Sequence, residues 1–203
     1  TYLSAPSFAP ADLTVVVARA GGRQSTVMVR LVQEGEERVR ATITLGTLSG
    51  EPPQILDHDA ERPTGLAWDD GDAMVAGAEP IALRQRVQLR LAAGTGFAVG
   101  RPSGEARLDT RMRFINGREP DPLALLLFAD AVPPSIFEAR GLGVGHVPTV
   151  QLTTHLFALP APGWIQSRFR TRVQGGSFID EDGELWDGDG RLVATARQLA
   201  LLR

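Results

Sequence analysis

In two segments of this chain apolar and polar residues alternate with a period of two. Residues 107–114 set Leu108, Thr110, Met112 and Phe114 against Arg107, Asp109, Arg111 and Arg113. Residues 86–91 repeat the pattern, with Val87, Leu89 and Leu91 against Arg86, Gln88 and Arg90. Successive side chains of a strand point to opposite sides, so both segments read as half-buried strands. Residues 13–18 and 25–32 are β-branched runs separated by Gly21 and Gly22, a hairpin signal, and 38–48 is a third run. Further strands are read at 147–157, 165–173, 177–186 and 191–202, with Gly175-Gly176 and Asp187-Gly188-Asp189-Gly190 as turns. Residues 51–80, broken by Pro52, Pro53, Pro63 and Gly65, read as a solvated connector.

One segment breaks the alternation. Asp121 suits a helix N-cap and Pro122 the first helical position. Pro133 disfavours helical backbone at Val132, so the helix should end near Ala131. Between its ends this helix is apolar on every side. It must therefore be enclosed, and it is too short to cross a bilayer. An antiparallel meander with one enclosed helix predicts an α+β unit in which the sheet curls around the helix.

Composition narrows the function classes. A chain of 203 residues fits one large domain or two small ones. All 21 basic residues are Arg, yet the net charge is −3, which argues against a dedicated nucleic-acid binder. Cysteine is absent, which excludes a disulfide framework, a thiol nucleophile and Cys-based metal sites, and fits a cytoplasmic protein. There is no membrane-length apolar run and no signal-like opening. His58 lies between Asp57 and Asp59, but no second His has ligand spacing, so no metal is expected. Gly94-Thr95-Gly96 and Gly141-Leu142-Gly143-Val144-Gly145 lack the helix-opening context of a phosphate loop and read as turns. Asp187–Asp189 opens like a calcium loop, but Gln198 stands where the closing Glu belongs.

The enclosed helix leads to a resemblance. The run Leu126-Leu127-Phe128-Ala129-Asp130-Ala131-Val132-Pro133-Pro134-Ser135-Ile136-Phe137 resembles the helix of TesB-like acyl-CoA thioesterases, a double hot-dog family. Pro148-Thr149-Val150-Gln151-Leu152-Thr153-Thr154-His155 resembles the strand that follows it, and residues 182–198 resemble the closing hairpin. The three occur in order and at family-like spacing. The resemblance implies an α+β hot-dog fold, an antiparallel sheet wrapped around a central helix. Residues 1–50, from Thr1-Tyr2-Leu3 onward, resemble only the last strands of a first hot-dog unit. The implied organisation is a partial first unit at 1–50, a linker at 51–84 and a second unit at 85–203 that carries the site. The first unit's preceding strand and helix are expected upstream of Thr1, because strands alone would leave an apolar face uncovered.

Carried over residue by residue, the resemblance makes Asp130, Thr149 and Gln198 the catalytic set. These groups would activate a water that attacks a thioester carbonyl, with no acyl-enzyme and no cofactor. Taken alone, each residue also suits a structural role: Asp130 as a helix-end surface residue, Thr149 as a strand former, Gln198 as a solvent-facing strand residue. A one-residue shift would put Val150 in place of Thr149. Desolvation and the negative end of the helix dipole should both raise the pKa of Asp130 toward that of a general base. An amide of the 141–145 loop could supply the oxyanion donor. Arg168, Arg170 and Arg172 recur at period two and share a strand face, either solvated or in contact with CoA phosphates. The implied activity is hydrolysis of an acyl-CoA to a carboxylic acid and CoA by a cytoplasmic homo-oligomer, without nucleic-acid or membrane partners. The alternatives are a non-catalytic acyl-CoA or lipid-binding module, or a hot-dog acyl-CoA hydratase or dehydratase using a His-Asp pair. His146 and His155 read as loop or packing residues rather than bases.

Overall fold

A computed structural model describes residues 1–49, 51, 53, 62–69 and 82–203. His58 and most of the expected connector lie outside the described residues. Two antiparallel sheets organise the chain. The first has three strands, β1 (Asp12–Arg19), β2 (Ser25–Gln33) and β3 (Glu36–Leu45), in that order. The second has six: β4 (Val87–Leu91), β5 (Arg107–Phe114), β6 (Thr149–Leu156), β7 (Ile165–Gly175), β8 (Phe178–Trp186) and β9 (Leu192–Leu201). Their order across the sheet is β4-β5-β7-β8-β9-β6.

The six-stranded sheet follows the alternation of its sequence. Val87, Leu89 and Leu91 on β4, Leu108 and Met112 on β5, Ile165 and Phe169 on β7, and Ala194 and Ala196 on β9 form one buried inner face. Gly183 on β8 pairs with Phe169, and a Cβ there would overlap the Phe169 ring, so this strand position requires glycine. Against the inner face lies α1 (Pro122–Phe128), N-capped by Asp121, whose carboxylate accepts the Ala124 amide at 2.7 Å. Ala124, Leu125 and Phe128 face the sheet.

Three expectations change here. First, α1 ends at Phe128 rather than near Ala131. The amides of Asp130 and Ala131 bond back three residues, to Leu127 and Phe128, which tightens the chain into a turn before the Pro pair. Second, a further helix, α2 (Ile136–Arg140), follows that pair. Its buried Glu138 accepts the amides of Gly96, Phe97 and Ser103 at 2.8–3.1 Å, so the Gly94–Gly96 turn binds an internal carboxylate. Third, α1 is covered on one side only: Leu123 is 70% exposed, Leu126 41% and Leu127 38%.

The described part of the connector is not simply solvated. Trp68 bridges to Ala92, and the Arg111 guanidinium stands over both Trp68 and Trp164, at 5.1 and 4.5 Å from the ring centroids. These contacts hold residues 67–69 against β4 and β5. In the first sheet, Leu13, Val15 and Val17 pair across to Leu31, Val29 and Val27 on one face. Val15 and Val17 are each 61% exposed, so this apolar face has no cover among the described residues.

Residues 1–3 join the sheets. Tyr2 bridges to Val39 of β3, with Arg40 N donating to Thr1 O and Leu3 N to Arg38 O. From its other edge Tyr2 N donates to Val150 O on β6 at 2.9 Å.

Candidate active site

The strands and the turn after α1 bring Asp130, Thr149 and Gln198 together. Gln198 Nε2 donates to Thr149 Oγ1 at 2.7 Å. Thr149 Oγ1 in turn donates to Asp130 Oδ1 at 3.4 Å, the long end of hydrogen-bond range. The other carboxylate oxygen, Oδ2, accepts the phenol hydrogen of Tyr2 at 3.0 Å.

A register irregularity explains why Thr149 takes part. Down β6, Leu152 pairs with Gln198 and Gln151 with Leu199. Uninterrupted pairing would put Val150, not Thr149, opposite Ala200 on the inner face. The structure instead pairs Thr149 with Ala200, with the register shifting between Thr149 and Gln151. This bulge at Val150 turns the Thr149 hydroxyl to the side where Gln198 stands, because one extra residue reverses the facing of everything before it. The outward-set Val150 carbonyl is the one that accepts the Tyr2 amide.

Gln198 is buried and Thr149 half-buried, whereas solvent still reaches Asp130. The protein mass around the Asp130 carboxylate nevertheless dominates its titration. Desolvation raises the pKa, the hydrogen bonds from Tyr2 and Thr149 lower it, and the net shift is upward. The result is an accessible carboxylate with raised proton affinity, tethered through a hydroxyl to a buried amide. That set can take a proton from a water and orient it.

The arginine row stands elsewhere. Phe169 and Ser167 point to the core, so Arg168 and Arg170 point to the opposite, outer face. Arg168 Nε bonds Asp109 Oδ1 at 2.6 Å and Arg172 Nε bonds Asp182 Oδ2 at 2.8 Å. A CoA bound at Asp130 would have to pass around the sheet to touch this row. His155 shares the outer side of β6 with Gln151 and Thr153. In the 141–145 loop the amides of Gly141 and Gly145 bond to Phe137 O and Leu142 O, so neither is free as an oxyanion donor. Asp187 is fully buried and accepts the amides of Ala161, Asp189 and Arg191, so it organises its own turn. Among the described residues no group of three or more His, Asp or Glu is arranged to hold a metal, and no helix is long and apolar enough to cross a membrane.

Sequence reasoning missed Tyr2. In the sequence it reads only as part of a strand-like start, and nothing local marks it, because its partners are Asp130, 128 residues away, and the still more distant Val150 on β6.

An antiparallel sheet laid on a short central helix, with a polar cluster where that helix meets the edge strand, defines a hot-dog protein. The comparisons give the family. Residues 57–202 match the acyl-CoA thioesterase C-terminal domain and residues 1–46 the N-terminal domain, so the chain belongs to the acyl-CoA thioesterases. By that membership it is a thioester hydrolase. Uncharacterized proteins of Mycobacterium bovis and Mycobacterium tuberculosis are 30% identical to it, over all of this chain and 74% of theirs. A Thermobifida fusca structure whose thioesterase II assignment is itself provisional superposes with a TM-score of 0.82 at 29% identity, covering all of this chain and 76% of that one. A hot-dog protein of unknown function from Alicyclobacillus acidocaldarius superposes with a TM-score of 0.80 at 23% identity, over all of this chain and 76% of that one, a likeness of fold.

Proposed function

We propose that the protein hydrolyses acyl-CoA by direct attack of water, with Asp130 as the general base and Thr149 and Gln198 orienting the water. The observation that carries this reading is the chain of hydrogen bonds from Gln198 through Thr149 to Asp130. Asp130 takes a proton from the water as its oxygen bonds to the thioester carbonyl carbon. Collapse of the tetrahedral intermediate breaks the C–S bond, and the Asp130 proton passes to the departing CoA thiolate. The products are a carboxylic acid and CoA, and no cofactor is required. The raised pKa of Asp130 suits this work, because a base titrating nearer neutrality shares the proton more evenly with water. A cytoplasmic homo-oligomer is part of the same reading. The uncovered apolar positions of β1 and α1, among them Val15, Val17, Leu123 and Leu126, favour association.

The test follows thiol release from acyl-CoAs of graded chain length by wild type and Asp130→Ala. The variant should lose about a hundredfold or more in rate. Binding without release would instead make the protein an acyl-CoA-binding module, and hydration of an enoyl-CoA would make it a hydratase.

A further inference from the structure

We infer that Tyr2 is a positioning residue for Asp130, so that the N-terminal sheet supplies the group that sets the orientation of the catalytic carboxylate. The inference rests on Asp130 being the base. A carboxylate turns easily about its last torsion, where the energy wells are broad. One donor, Thr149 at 3.4 Å, leaves that torsion loosely held. The Tyr2 hydroxyl bonds the second oxygen at 3.0 Å, and two donors on separate oxygens fix the carboxylate plane.

Tyr2 is itself held on both sides. Its neighbours Thr1 and Leu3 bond to β3, and its own amide bonds to Val150, the residue displaced by the bulge that turns Thr149 inward. The same backbone irregularity therefore sets both donors. The phenol has a single hydrogen, and Asp130 receives it, so Tyr2 is not available to donate to a substrate oxyanion. Burial and the neighbouring carboxylate push the Tyr2 pKa up to about 12, so the phenol remains a donor throughout the working range. A bond to the charged carboxylate favours that form, which opposes the effect of burial on Asp130.

Tyr2→Phe tests this, since it keeps the ring and the backbone bonds and removes only the hydroxyl. Turnover should fall about tenfold in kcat with KM little changed. The acid limb of kcat/KM should move to higher pH, because the removed bond had been lowering the Asp130 pKa. A carboxyl 13C titration of Asp130, which needs no turnover, should move the same way. An unmoved acid limb and titration would overturn the inference even if kcat fell, because a purely structural strut has that signature. Asp130→Asn separates the two levels. If Asp130→Asn is inactive while Tyr2→Phe behaves as wild type, only the inference fails. If Asp130→Asn remains fully active, the base assignment fails and the inference with it.

Discussion

The six-stranded and three-stranded sheets both carry apolar strand residues, with different outcomes. In the larger sheet the apolar positions meet α1 and one another, and Leu125, Phe128, Leu89 and Met112 are fully buried. In the smaller sheet β1 and β2 carry apolar runs rather than a strict alternation, and Leu13, Val15, Val16 and Val17 remain exposed. Periodicity fixes which side of a strand is apolar; it does not supply what covers that side. The small sheet contributes to the site in another way, by carrying Tyr2 through the β3 pairing to the edge of β6. Packing energy and the proposed catalytic groups sit in one unit, and a hydrogen-bond donor comes from the other.

The sharpest test of this contrast is mutational stability. Phe128→Ala in the buried core should lower the unfolding free energy by about 3–5 kcal/mol. Val16→Ala, on a strand that is exposed throughout, should cost less than about 1 kcal/mol in the same chemical denaturation. Comparable losses would mean that the small sheet is covered in solution. Activity should divide the same way. Gln198→Ala should reduce kcat by about ten- to a hundredfold. Thr42→Ala, on β3 away from Tyr2, should stay within about twofold of wild type in the same thiol-release assay.

Glu181 on β8 and Glu37 on β3 should tilt the pH dependence of stability in opposite directions. Burial raises the pKa of Glu181 on β8, against hydrogen bonds donated by Ser135 and Thr171. The native protein then holds this proton more tightly than the unfolded chain does. Stability is therefore lost as pH rises from the ordinary glutamate pKa through the native one, and Glu181→Gln should flatten that slope in melting curves. On β3 the Arg40 hydrogen bond holds the Glu37 carboxyl low, so its contribution is lost as pH falls. The smallest effect expected is that of Arg170→Ala. On the outer face it should change KM for acyl-CoA by less than about twofold, whereas a rise of about tenfold would put the arginine row on the CoA path.

Much of this was readable in the sequence because it is local. Strand faces, the Asp121 cap and the Gly21-Gly22 turn follow from neighbouring residues, whereas the expected enclosure of α1 does not hold, since only one side of it meets the sheet. Asp130, Thr149 and Gln198 were legible only through resemblance, since strand periodicity alone favours Val150 over Thr149 on the inner face. The bulge that reverses this is a property of pairing with β9, not of β6 itself. Helix α2 escaped notice because Glu138 is held by amides of a loop some forty residues earlier. The arginine row was correctly placed on one strand face, but period two cannot say whether that face looks inward or outward.

In the proposed reaction the oxygen added to the acyl group comes directly from water held at Asp130. A single turnover with enzyme in excess, run in 18O-water and read by mass spectrometry of the released acid, tests it. Direct attack predicts acid that carries the heavy oxygen from the first turnover. Unlabelled acid in that turnover, with the label appearing in the Asp130 carboxylate, would show that Asp130 attacks the thioester itself and would contradict the account.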